Sequence, residues 1–187
     1  MTESMDFPDR FNRREAPRVI APGYTALRTW RDALEEGAVV VTTNGFYDGW
    51  HAGHVRFLDA AREAGCELAA QGAPVYLVVA VDVPSNVDAP HVRKPPVIFS
   101  LWERMMIVDA HEAVDIVVPL WESPPHDFIL AARPTVHCKA GDWKHLPEAA
   151  VIESVGGMVR MLPRCEDFEI SSSTEMKRRI REAAGDD

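Results

Sequence analysis

The sequence predicts a doubly wound α/β fold, a single domain built on a parallel five-stranded sheet. Short apolar runs such as Val75–Val81 (VYLVVAV) lack polar alternation, so they belong to strands covered on both faces. These runs alternate with segments of helical period, the order of a parallel sheet with right-handed helical crossovers. With 187 residues, 47% of them hydrophobic, the chain can bury the core of one such domain.

Residues 1–22 carry several Pro and Arg and no period, and read as an irregular N-terminal arm ahead of a domain over residues 23–187. Thr25 is placed to cap a helix running to Glu36, with Leu27, Trp30, Ala33 and Leu34 on its apolar face and Gly37 at its end. Ala38–Thr42 is the first strand, leading into Thr43-Asn44-Gly45. Ala52–Ala64 steps Val55, Leu58, Ala61 and Arg62 at helical spacing, and Val75–Val81 is the second strand. Ser100 caps a helix over 100–111, and Asp115–Pro119 is the third strand. A proline-opened helix over 125–132 precedes the fourth strand, Thr135–Lys139. A helix over 147–154 stops at Gly156-Gly157, Met158–Leu162 is the fifth strand, and Ser172–Ala184 is the last helix.

The bulk properties exclude some classes. A formal net charge of −9 opposes a general nucleic-acid or acidic-membrane partner through long-range repulsion, while leaving small anions free to meet local cations. Cys66, Cys138 and Cys165 are odd in number and widely spaced, which points to reduced thiols rather than a disulfide framework or a zinc knuckle. No apolar run approaches the ~20 residues that span a bilayer, and the N-terminus lacks a signal-peptide core. The expectation is a cytoplasmic protein.

In doubly wound sheets, ligands bind beyond the carboxyl ends of the strands. The first strand ends in Gly45, which permits a tight turn and a close approach of ligand to backbone. His51 and His54 follow at the mouth of the next helix, with Gly53 between them leaving room for a phosphate. Two imidazoles and the exposed N–H groups of a helix start make a site for a triphosphate. On the pair alone, two ordinary histidines beside a helix cap remain an alternative; a zinc site lacks a third ligand nearby.

The segment Asn44–His54, NGFYDGWHAGH, resembles the (T/N)-G-x-F-D-x-x-H-x-G-H motif of the cytidylyltransferase-like nucleotidyltransferases, and the following VRFLDAAREAG is similar to their next helix. Within that superfamily the likeness is to the adenylyltransferases that activate a heptose 1-phosphate. It runs from about Thr25 to Ile180. It takes in Arg104 within WERMMIVDAHEAVDIVVP, Lys139-Ala140-Gly141-Asp142-Trp143 where the family has K-G-G-D-Y, and the Ser/Thr-rich start of the last helix at Ser171–Thr174.

The resemblance implies a Rossmann-like fold and transfer of a nucleoside monophosphate to a phosphorylated acceptor. It assigns catalysis to His51, His54 and Lys139, and nucleotide binding to Thr43, Asn44, Gly45, Phe46, Gly53, His54, Gly141, Asp142, Ser172, Ser173 and Thr174. It assigns the acceptor to Asp48, Trp50, Arg104 and Trp143. Mg²⁺ is the implied cofactor and a homodimer the implied assembly. Each residue also has a plainer reading: Arg104 as a buried structural ion pair, Asp142 as a turn residue rather than an orienter of Lys139 or a ligand of a ribose hydroxyl, and Asp48 as a brace for its loop rather than a holder of Mg²⁺ through water. Arg93 and Lys94 are either phosphate-closing or solvated.

The chain departs from the family at Phe46-Tyr47, where Cys-Phe is common, and at Gly49-Trp50, where two aliphatic residues are usual. Ala140 replaces a glycine, and residues 82–99 match poorly. The acidic Glu166–Ile170 stands where glycerol-phosphate cytidylyltransferases carry a basic R-T-x-G-I-S-T-T segment, which favours ATP over CTP. The alternative is a CTP enzyme acting on a polyol phosphate or a phosphonate. A nucleotide sensor that has lost catalysis and a metal-dependent hydrolase are the rivals from other classes.

Overall fold

The computed structural model describes residues 24–83, 97–141, 146–164, 170 and 172–185. The expected arm over 1–22 lies outside them, as do Cys165, Asp142, Trp143, Arg93 and Lys94. Strands β1 (Val39–Gly45), β2 (Val75–Asp82), β3 (Ile116–Leu120), β4 (Val136–Ala140) and β5 (Met158–Leu162) form one sheet, in the order β3-β2-β1-β4-β5. Every pairing is parallel. The helices are α1 (Thr25–Asp32), α2 (Ala52–Cys66), α3 (Leu101–Asp109), α4 (His126–Ala132), α5 (Ala149–Ser154) and α6 (Ser173–Ala184).

Successive residues of β1 feed opposite cores, as strand pleating demands. Val39 and Val41 pack with Leu58 and Ala61 of α2 and Met105 and Val108 of α3. Val40 packs on the other face with Leu27 of α1, Phe128 and Ile129 of α4, and Ile152 of α5. Gly65 lets α2 lie directly on the sheet: a Cβ there would collide with Val41 and come within 2.7 Å of Val75 Cγ1. Ser100 closes α3 with a capping box, accepting from Glu103 N while the Glu103 carboxylate accepts from Ser100 N at 2.7 Å.

The start of the domain differs from the sequence expectation. Thr25 is the first residue of α1 rather than its cap; the cap position belongs to Tyr24, in the left-handed region at φ 52 with no side-chain cap bond. The helix ends at Asp32 rather than Glu36, Ala33 is exposed, and Gly37, at φ +85, serves the turn into β1 instead of the helix end. Burial explains the change. Tyr24 is fully buried, with its hydroxyl donating to Glu122 at 2.9 Å, and this anchor sets where the helix begins. The first strand also runs three residues further than expected, to Gly45, because β2 pairs with it along its whole length from Val39 to Gly45.

The chain winds outward from β1 through β2 to β3, then returns to lay β4 on the other side of β1. β1 and β4 keep register for only two pairs, Val41 with Val136 and Thr42 with His137. Beyond them the strands part, and a crevice opens at this reversal of strand order. No helix among the described residues is long and apolar enough to cross a membrane.

Candidate active site

A cleft of about 320 Å³ occupies this crevice. One wall is the signature segment, with Asn44–Tyr47, His51, Gly53 and His54, together with Phe57 from α2. The opposite wall is Lys139 and Ala140 at the end of β4, Pro163 and Arg164 after β5, and Ser172 and Ser173 at the start of α6.

The signature turn is held by packing. Gly45 leaves room for the Tyr47 ring, which lies 3.1 Å from where its Cβ would stand. Tyr47 itself sits at φ 53, a costly conformation for an aromatic residue, retained because its ring is buried between the sheet and α2. Gly49 at φ +80 passes directly beneath Met176 of α6. Asp48, buried, accepts from Phe99 N at 2.9 Å, Ile98 N at 3.1 Å and Lys177 Nζ at 2.8 Å. Burial works to raise its pKa, but the bonds from Lys177, Phe99 and Ile98 outweigh it and hold the carboxyl below its ordinary value. Asp48 therefore ties the turn to the entry of α3 and to α6.

α2 begins at His51 with no side-chain cap, which leaves first-turn N–H groups for an anion. The His51 and His54 rings stack with centroids 3.8 Å apart, and Trp50 stacks on His54 at 5.4 Å. The Nδ1 atoms of both histidines are buried without a hydrogen-bond partner among the described residues. Burial lowers the pKa of His51, and burial followed by the neighbouring His51 pushes His54 down to about 3. Both rings are thus neutral at physiological pH and bring hydrogen bonds, not charge. The positive charge at the cleft comes from Lys139, Arg164 and the helix starts.

Lys139 Nζ donates to Asn44 Oδ1 at 2.6 Å and pairs with Glu148 at 2.9 Å. Gly141, at φ +96, lets Arg164 approach: a Cβ there would stand 2.9 Å from the guanidinium Nε. Ser172 caps α6 by accepting from Glu175 N at 3.2 Å, and the Ser173 hydroxyl lies 3.5 Å from Gly49 O.

Of the residues expected at the site, the cleft brings together Asn44, Gly45, Phe46, His51, Gly53, His54, Lys139, Ser172 and Ser173. Thr43, Gly141 and Thr174 stand beside it without lining it, and Asp142 and Trp143 lie outside the described residues. Trp50 lies behind His54, between it and His111. Arg104 is fully buried over the Phe46 ring and donates to Phe46 O at 2.6 Å, Asp82 O at 2.9 Å and Phe99 O at 3.2 Å. It braces backbone here, as Asp48 does, instead of facing the cleft.

Arg164, Glu148, Tyr47 and Lys177 were not among the expected residues. Arg164 carried a readable signal, standing two residues past the fifth strand at its ligand-facing end. Glu148 and Lys177 carried none, because an acid at a helix start and a base on an exposed helix are ordinary.

A five-stranded parallel sheet in this order, with HAGH opening the helix after β1, defines a Rossmann-like nucleotide-binding domain. No protein-family model matches the chain. It is 36% identical over 146 residues to the bifunctional protein HldE of Coxiella burnetii, covering 77% of this chain and 29% of that protein. It is also 36% identical over 144 residues to the bifunctional protein HldE of Yersinia enterocolitica, covering 76% and 27%. The chain thus spans less than a third of the length of these relatives. A lipopolysaccharide core biosynthesis protein from Thermoplasma volcanium shares the fold with a TM-score of 0.52 at 19% identity, covering 68% of this chain and 96% of that one. The domain is homologous to one part of the bifunctional HldE proteins and belongs with that part of them.

Proposed function

We propose that this domain transfers AMP from ATP to the phosphate of a sugar phosphate, such as a heptose 1-phosphate, and releases pyrophosphate. The observation that carries the reading is the cleft at the β1/β4 reversal, where the uncapped start of α2 with its two neutral histidines faces Lys139 and the start of α6. The homology to HldE and the K-A-G-D-W segment support ATP as the donor and a sugar phosphate as the acceptor.

In this reaction an acceptor phosphate oxygen attacks the α-phosphorus. That oxygen is already ionised at neutral pH, so no general base is needed. Catalysis reduces to positioning and to stabilising charge on the α-phosphate and the leaving pyrophosphate. His51 and His54 donate hydrogen bonds to the phosphates, Lys139 neutralises charge near the α-phosphate, and Ser172 and Ser173 with Arg164 hold the pyrophosphate. No carboxylate lines the cleft among the described residues, and no three His, Cys, Asp or Glu side chains converge there as a metal site. Mg²⁺, the cofactor the resemblance implies, would enter with the nucleotide and would supply neutralisation of its phosphate charge beside Lys139 and Arg164. We take the working form to be a homodimer, as the family resemblance implies.

The test is pyrophosphate release from ATP and from CTP against a panel of sugar and polyol phosphates. ATP with a sugar 1-phosphate is expected to turn over fastest. His54→Ala is expected to lower kcat by ~10²–10³, the scale of one lost transition-state donor. Turnover with CTP and a polyol phosphate alone, or an undiminished kcat in His54→Ala, would overturn the assignment.

A further inference from the structure

Behind the cleft, Lys139 is one end of a polar chain that crosses the sheet. Its Nζ lies 2.6 Å from Asn44 Oδ1 and 2.9 Å from Glu148 Oε1. Glu148 is the cap residue of α5, and its carboxylate is buried. The same Oε1 is 4.0 Å from Nε2 of His137, whose Nδ1 is 2.8 Å from the Thr42 hydroxyl.

Distance and charge decide which group the carboxylate pairs with. Four ångströms is too long for a hydrogen bond. His137 is sealed from solvent, and burial, with Lys139 adding to it, pushes its pKa down to about 3, so the ring is neutral. The counter-charge of Glu148 among the described residues is therefore the Lys139 ammonium. A buried carboxylate without its cation is costly, so the pair holds together.

An ammonium has three donors. Asn44 and Glu148 take two, and Lys139 still lines the cleft with 13% of its side chain exposed. Among the described residues, that leaves one donor for a ligand. We propose that Glu148 is a positioning residue whose buried carboxylate, together with Asn44, fixes the Lys139 ammonium at the cleft and reserves its third N–H for the phosphate under attack.

This inference rests on the nucleotidyl-transfer reading of the cleft. A lysine on a free four-carbon stem would have to be ordered at each turnover, whereas here the ordering is built into the fold. The carboxylate also offsets the ammonium charge, so the ground-state triphosphate gains little from it. The effect of Glu148 falls on kcat more than on KM.

A double-mutant cycle of Glu148→Gln with Lys139→Ala tests this. Glu148→Gln is expected to lower kcat ~10–100-fold, the cost of a catalytic group displaced by about an ångström, with little change in nucleotide KM. In the Lys139→Ala background, Glu148→Gln is expected to cost nothing further, because it acts through the missing ammonium. Additive losses, a wild-type kcat in Glu148→Gln, or a loss in KM alone would overturn the proposal.

A second readout needs no turnover. In ¹H–¹⁵N NMR in cold, mildly acidic buffer, the Lys139 ammonium signal is expected in the wild type, slowed in exchange by its two partners, and is expected to vanish in Glu148→Gln. Its persistence would overturn the tether. Absent wild-type turnover with the NMR signature intact would count against the reaction instead. Should Glu148→Gln fail to fold by circular dichroism, Glu148→Asp, which keeps the charge but withdraws it by one methylene, replaces it in both measurements. The same losses would then support the tether, and wild-type behaviour would overturn it.

Discussion

Lowering the pH should destabilise this domain before its carboxylates are fully titrated, and His137 is the main cause. Its ring is fully buried and its pKa is pushed down to about 3, from an ordinary 6.5, by burial and then by Lys139. The unfolded chain binds a proton below about pH 6.5 that the native state refuses until about pH 3, so stability is lost as pH falls through that window. At about pH 5 the gap is about 1.5 units, and at about 1.4 kcal/mol per unit the loss from His137 is about 2 kcal/mol. His54 has its pKa lowered to a similar value but is only half-buried at the cleft wall, so it adds a smaller loss of the same sign. The assay is urea unfolding at about pH 7.5 and about pH 5, on the wild type and on His137→Asn. The variant keeps an amide where Nδ1 meets Thr42 but gives up the packing of the rest of the ring, so it should be less stable at both values, while its drop between them should be smaller by about 2 kcal/mol. Equal pH dependence in the two proteins, or an NMR titration midpoint for His137 near 6.5, would refute the reasoning.

Two substitutions test the packing that frames the site. Gly65→Ala drives a methyl into Val41 and Val75 and should lower stability by about 1–3 kcal/mol in urea melts, since backbone and sheet must separate to admit it. Lys177→Met leaves the buried Asp48 carboxylate with only its backbone donors; a loss of about 1–3 kcal/mol in thermal or urea unfolding is expected, and no loss would show that the pair is idle.

Much of this architecture could be read before any coordinates. The five strands and the order of the helices follow from apolar runs too short for helices and too uniform for exposed strands, and the strand-end rule brought His51, His54 and Lys139 to one place. Less legible were features decided by tertiary contacts. Tyr24 looks like a loop residue until its burial against Phe128 and its bond to Glu122 are seen, and those contacts, not the capping preference of Thr25, set the start of α1. Asp48 and Arg104 lie in segments rich in site residues, yet Asp48 is paired with Lys177 and Arg104 is bonded to three backbone carbonyls, partners separated from them by up to 129 positions. Glu148 is the converse: an unremarkable acid at a helix start that acquires importance only because β4 carries Lys139 back beneath it.

The last helix has a consequence of its own. α6 buries no residue in either core; it rests on the rest of the domain through Met176 over Gly49, Lys177 on Asp48 and Ser173 near Gly49 O. Losing it would open one side of the cleft while leaving the hydrophobic interior intact. Clipping at this end would thus strip the cleft of Ser172 and Ser173 while both cores stay packed, at the cost of stranding the buried Asp48 carboxylate.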